Sequence, residues 1–218
     1  FAQTQLLLAG AIDGMIRVPP SFIDDVAENP SLALQQNPTT EWWFIAMNTG
    51  TASLADAKVR HAIDRLLDRR RLRIDGLGEP EDAPSTSVHW MTGPFLPNSE
   101  YANQSLYPIL SASHDQAERL FKQAGFARLP NDGALVNGTQ PLRLDIGIVD
   151  AVEQLAPDFI AELARQLRAG GLEPHFHTID SNQWKSPSSA GLHANLDMVV
   201  GTTDRTGILG VESLFHST

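Results

Sequence analysis

Asp204 closes the segment Val199-Val200-Gly201-Thr202-Thr203-Asp204, an apolar run that turns polar at its end. A carboxylate there suits an ammonium group, because in open parallel sheets ligands collect where strands end and side chains project into a crevice. The same residue, standing before Arg205 and Gly207, also reads as a turn aspartate that satisfies local backbone donors, and the pattern alone favours the turn. His175 and His177 stand two apart, so on a strand they share one face. A stable metal site needs three or four donors. The pair therefore reads as a surface feature, and no metal is assigned. Arg69, Arg70, Arg71 and Arg73 form a basic run after an amphipathic segment. It reads as a solvated face at the end of a helix, where cations complement the dipole.

Other chemistries lack their signatures. Neither G-x-S-x-G, H-E-x-x-H nor the phosphate-cradling G-x-x-x-x-G-K-[ST] occurs. With no cysteine, the chain has no disulfide, thiolate zinc site or cysteine nucleophile, which fits an oxidising compartment. No catalytic residue and no cofactor is assigned. The 16 Lys and Arg against 26 Asp and Glu leave a formal net charge of −10, which argues against a binder of nucleic-acid phosphates. Apolar residues at 42% and charged residues at 19% mark a folded chain. No apolar run approaches the ~18 residues that cross a bilayer. The sequence opens at Phe1, so it reads as a fragment or processed product, and the lack of a leader says nothing about export.

These residues need elements to position them. Residues 43–48 form a short apolar strand segment, and Val59, Ala62, Ile63, Leu66 and Leu67 recur on one helical face. Residues 76–101, rich in Pro, Gly and Ser, read as a long surface loop. Ser113 with Gln116 forms a capping-box pattern for a helix that stops at Gly125. Leu142, Leu144, Ile146 and Ile148 alternate with polar residues and Gly147, the period of a strand. Val152, Leu155, Phe159, Ile160, Leu163 and Leu167 then share a helix face that ends at Gly170 and Gly171. Pro157 within it marks either a kink or the true first turn. Residues 173–179 and 196–200 supply two further strands. Strand, helix, strand over 142–179 is a βαβ unit, which requires parallel strands covered by helices, and the fold class is α/β.

Several segments together resemble the family 5 solute-binding proteins of ABC importers, the oligopeptide, dipeptide and nickel group. Phe44-Ile45-Ala46-Met47-Asn48, followed by Val59-Arg60-His61-Ala62 and Leu67-Asp68-Arg69, is similar to that family's strand ending in Asn and its V-R-x-A helix. Leu7-Leu8-Ala9-Gly10-Ala11-Ile12-Asp13 lies upstream, and Ala117 to Phe126, Gly170-Gly171-Leu172, Gln183-Trp184 and Leu196-Asp197-Met198 follow in family order. The resemblance implies a type II periplasmic-binding-protein-like lobe with a mixed, largely parallel sheet. It implies that residues 1–40 end a first lobe and cross over, and that 41–218 form the large carboxyl-terminal lobe, incomplete at its end. Asp204 resembles the aspartate that pairs with a peptide's α-ammonium. Thr202 and Thr203 are its expected neighbours at the ligand, and Trp184, thirteen residues before Asp197, is expected either at or near the cleft or as a helix-packing tryptophan. The aromatic residue common three positions before that aspartate is Gly201 here, and the spacing from Asp197 is shorter.

The resemblance further implies a non-catalytic, monomeric receptor in the periplasm or another extracytoplasmic space. It would capture a peptide or similar small solute for the transmembrane subunits of an ABC permease, without inserting in the membrane or binding nucleic acid itself. A rival expectation is the solute-sensing domain of a transcriptional regulator, and a third is an unrelated α/β hydrolase-like enzyme.

Overall fold

Four strands, each with alternate residues turned to one helical layer, form the main sheet. In the computed structural model, which describes residues 2–16, 18–35, 41–78, 111–130, 133–184 and 195–204, their spatial order is β1 (Glu41–Met47), β7 (Met198–Asp204), β5 (Arg143–Val149) and β6 (Glu173–Ile179). β5 runs parallel to β6 and β7, and β1 is antiparallel to β7. The α/β class and the mixed, largely parallel sheet are as expected. Leu144, Ile146 and Ile148 of β5, Met198 and Val200 of β7, and Trp43, Ile45 and Met47 of β1 meet the main core.

The helical layer comprises α3 (Ala57–Leu66), α4 (Arg69–Leu77), α5 (His114–Gln123) and α7 (Pro157–Ala169). Leu163 and Leu167 of α7 and Ile63 and Leu66 of α3 join the same core as Phe121 of α5. α6 (Asp150–Leu155) precedes α7, and Pro157 occupies the first turn of α7, where its missing N–H costs nothing. Ser113 caps α5 by accepting from the Gln116 N–H at 3.4 Å, but its own N–H donates to the Arg65 carbonyl at 2.7 Å. Only one half of the capping box is therefore made within the helix. Two further helices, α1 (Ala2–Leu8) and α2 (Ile23–Glu28), lie in the first forty residues. Among the described residues no helix is long and apolar enough to cross a membrane.

The basic run is placed differently from the sequence reading. The first helix stops at Leu66, and Asp68 caps a new one by accepting from the Arg71 N–H at 3.1 Å. Arg69, Arg70 and Arg71 thus open α4, where the dipole opposes cations rather than complementing them. Local carboxylates offset this: Arg69 pairs with Asp64, and Arg71 with Asp75 at 3.3 Å. Arg73 is buried at 8% exposure, so the run is not one solvated face. Residues 76 and 77, expected in a loop, are helical because Gly76 lets α4 approach α7; a Cβ there would stand 2.8 Å from Phe159 Cα. Residues 79–110, the rest of that loop reading, lie outside the described residues.

A small antiparallel sheet of β2 (Ala127–Arg128), β3 (Leu135–Asn137) and β4 (Gln140–Pro141) is tied to the turn after α7. Leu135 N–H donates to the Gly171 carbonyl at 2.8 Å, and Arg128 donates to the carbonyls of Gly133 and Gly170 at 2.7 and 3.1 Å. Gly171 holds φ +82°, and a Cβ would overlap the Gly133 carbonyl oxygen. Gly171→Ala is expected to cost about 1 to 2 kcal/mol, measured by urea denaturation.

Candidate functional site: the carboxyl edge of the main sheet

The strand order reverses direction at β5. From β5 the chain crosses to β6 on one side, then returns past β5 to β7 on the other. Such a reversal opens a crevice outside the carboxyl ends of parallel strands. Its shape follows from register. Ile148 is level with Val200, so the last residue of β5, Val149, is level with Gly201. β7 continues three residues further to Asp204, about 10 Å at strand rise. β1 accompanies it, with Trp43 opposite Thr202, Trp42 opposite Thr203 and Glu41 opposite Asp204. β1 and β7 therefore stand as a wall beside a step formed by the ends of β5 and β6. α6 starts from this step, as does α8 (Ser181–Trp184).

Thr202, Thr203 and Asp204 occupy the wall, and Trp184 ends the helix that begins two residues beyond β6. Asp204 is the last residue of the strand, which runs four residues past the expected end at 200. The side chains of Trp184, Thr203 and Asp204 lie outside the described residues; Thr202 is half-buried. Glu41, Trp42 and Trp43 were missed, since nothing local in the sequence couples residue 41 to residue 204.

The surrounding side chains fix the step and the wall. Ser181 Oγ donates to Asp150, linking the starts of α6 and α8, and Thr178 Oγ1 donates to Glu153 at 2.9 Å. Asp180 caps α8 by accepting from the N–H groups of Asn182 and Gln183 at 2.9 and 3.1 Å. Trp43 packs edge-on against Phe159 with ring centroids 5.4 Å apart, anchoring β1 to α7. At the opposite end of the sheet the buried Asp197 carboxylate accepts from the Asp145 N–H at 2.9 Å, and its own N–H donates to the Asp145 carbonyl at 2.8 Å. The Asn48 N–H donates to the Asp197 carbonyl at 2.8 Å, and its side chain donates to Leu196 O at 3.0 Å. This latch sets the register of three strands and hence how far Asp204 projects.

His175 and His177 share a face of β6, as expected from their spacing, and each meets a carboxylate. His175 Nε2 lies 2.8 Å from Glu173, and His177 Nε2 lies 2.9 Å from Asp145. Among the described residues no three His, Asp or Glu side chains converge to hold a metal. The His177 hydrogen bond, helped by the nearby Arg143 charge, holds the Asp145 carboxyl below the usual aspartate range. A depressed carboxyl stabilises the fold fully above its unfolded value, about 3.9, and loses that contribution as pH falls through the lower folded value. Asp145→Asn should therefore flatten the loss of stability below about pH 4, measured by denaturant midpoints against pH. A separate polar groove of about 350 Å³ on the outer side of α3 and α5, lined by His61, Arg65 and Arg119 among others, takes no part in the edge.

Comparison with known proteins agrees with this architecture. The family model described as "Bacterial extracellular solute-binding proteins, family 5 Middle" matches residues 2–204. No curated protein sequence matches the chain. Among solved structures, NikZ from Campylobacter jejuni in complex with Ni(L-His) superposes with a TM-score of 0.70 at 17% identity, covering 94% of this chain and 38% of that one. The oligopeptide-binding protein AppA from Bacillus subtilis, in complex with a nonapeptide, gives 0.71 at 20% identity, with 94% and 39% covered. The ABC transporter substrate-binding protein CtaP from Listeria monocytogenes gives 0.73 at 16%, with 98% and 40% covered. These likenesses are of fold, and the chain spans about two fifths of the length of those structures. It has the type II periplasmic-binding-protein architecture of that group. The family match and the crevice at the strand ends agree: the chain belongs to the bacterial extracellular solute-binding proteins of family 5.

Proposed function

We propose that the protein containing this chain captures a small solute with a cationic group, a peptide or a similar compound, at the carboxyl edge of the sheet. It delivers that solute to an ABC permease outside the cytoplasm. In this reading residues 1–40 end a first lobe and cross over, residues 41–218 belong to the large lobe, and solute is enclosed between the two lobes. The observation that carries the reading is the strand-order reversal at β5, with Thr202, Thr203 and Asp204 on the end of β7 that runs past it and Trp184 on the short helix after β6.

Charge supports it. Glu41 and Asp204 are directly opposite in register, so two acidic residues end the wall. A cationic solute group would meet complementary charge there. Ligand complexes of the two neighbours described above, a nonapeptide and a nickel–histidine complex, supply the classes to try first. The full-length protein should be stabilised against heating by tripeptides with free amino termini, by several degrees at ligand concentrations far above Kd. No shift with tripeptides, whatever nickel–histidine does, would contradict the cationic-peptide reading.

A further inference from the structure

The groove on the outer side of α3 and α5 lies apart from the solute site and gathers hydrogen-bond donors. α3 turns Val59, Ala62, Ile63 and Leu66 to the core, and α5 turns Ala117 and Phe121. His61 and Arg65 are left on the outer face of α3, four residues apart and so one above the other, and Gln116, Arg119 and Gln123 follow the same spacing on α5. The Ser113 N–H bond to the Arg65 carbonyl, 2.7 Å long, holds the start of α5 at the end of α3. That bond fixes the two rows of side chains against each other.

The charges in the groove are unbalanced. Asp64, its one lining carboxylate among the described residues, is already paired with Arg69. Arg65 Nη1 reaches the Ser111 carbonyl only at 3.5 Å, and neither Arg65 nor Arg119 meets a carboxylate among the described residues. Glu118, next to Arg119 in the chain, is turned to Arg128 at 3.5 Å. Elsewhere in the helical layer Arg71 and Arg165 each hold a carboxylate on their own helix. Two guanidinium forks, an imidazole and two side-chain amides thus line one groove of a chain whose formal net charge is −10.

We propose that this groove is a docking surface for an acidic segment of a partner protein, with Arg65 and Arg119 each taking a carboxylate. Charge selects the ligand chemistry, because the planar guanidinium matches a carboxylate with two parallel hydrogen bonds. Shape selects the source. A small-molecule site encloses most of its ligand's surface, whereas His61, Gln116, Arg119 and Gln123 are all exposed along the two helices. Such a groove receives side chains presented by another surface. The acidic remainder of the chain repels an acidic partner, so attraction confined to the groove sets the partner's orientation more than its affinity.

The test is fluorescence anisotropy at low salt with a labelled hexaglutamate peptide and the full-length protein, with hexaglutamine as the uncharged control. Hexaglutamate should bind and hexaglutamine should not. Arg65→Gln and Arg119→Gln should each weaken binding roughly two- to fivefold, the size of exposed ion pairs, and together by about tenfold. Added salt should weaken the wild-type complex. Should the double variant fail to fold, the two single variants carry the comparison. Absence of hexaglutamate binding, or equal binding by the wild type and every folded variant, overturns the proposal. Displacement of the labelled peptide by inorganic phosphate at the same concentration as by unlabelled hexaglutamate also overturns it, because the groove would then be a small-anion site.

Discussion

Gln166→Leu will lower the stability of the chain by about 2 to 4 kcal/mol. Gln166 is 4% exposed, on the face of α7 that meets the junction between α3 and α4. Its Oε1 accepts from the Asp68 N–H at 2.7 Å, and its Nε2 donates to the Asp68 carbonyl at 3.1 Å and to Glu162 Oε1 at 2.8 Å. One side chain thus answers both backbone groups where one helix has ended and the next begins. Leucine would fill much of the volume but leave the Asp68 N–H facing an apolar group, and an unanswered buried donor costs about 1 to 3 kcal/mol. Glu162 keeps its two bonds from Arg165, both 2.6 Å, so the loss is confined to the junction. Urea denaturation should show a lower midpoint with an unchanged slope. A change under about 0.5 kcal/mol, the range of ordinary surface substitutions, would mean that the junction is held by apolar packing alone.

Asp204→Asn in the full-length protein will weaken solute binding roughly tenfold to a hundredfold while leaving the melting temperature of the ligand-free protein nearly unchanged. A charge-assisted hydrogen bond sheltered from water is worth about 1.5 to 3 kcal/mol, which is the size of that loss. Stability should hold because Asp204 is the last residue of β7, opposite another acidic residue. Unchanged affinity on calorimetry would remove Asp204 from the site.

Local patterns made much of the fold legible. Alternation at Leu144, Ile146 and Ile148 gave a strand, and the spacing of Val59, Ala62, Ile63 and Leu66 gave a helix face, because both periods report directly which side is buried. Gly125, at φ +89°, and the Gly170-Gly171 pair marked helix ends for the reason seen in the structure: backbone conformation or contact that excludes a side chain. The break at Leu67 was hidden. Leu67 continued the apolar spacing, and the arginines after it looked like a solvated tail, whereas Asp68 capping and the Asp64 pairing make them the start of another helix.

The candidate site was half legible for the same reason. Thr202, Thr203 and Asp204 follow an apolar run, so placing them at a strand's end needed only the local pattern. The other side of the wall comes from β1, more than one hundred and fifty residues earlier, through an antiparallel pairing that no local period encodes. The Asp145–Asp197–Asn48 latch that sets this register joins three distant segments through the Asp197 carboxylate, the Asn48 amide and backbone hydrogen bonds, and no local period reveals that these segments meet.

The central claim is that this edge recognises a cationic group of a small solute. Titrating the full-length protein with one tripeptide in its free and N-acetylated forms tests it most directly, because acetylation removes the ammonium charge and little else. The free peptide should bind roughly tenfold to a hundredfold more tightly than the acetylated one, and Asp204→Asn should abolish most of that difference. Equal affinity of the wild-type protein for the two forms would contradict the account.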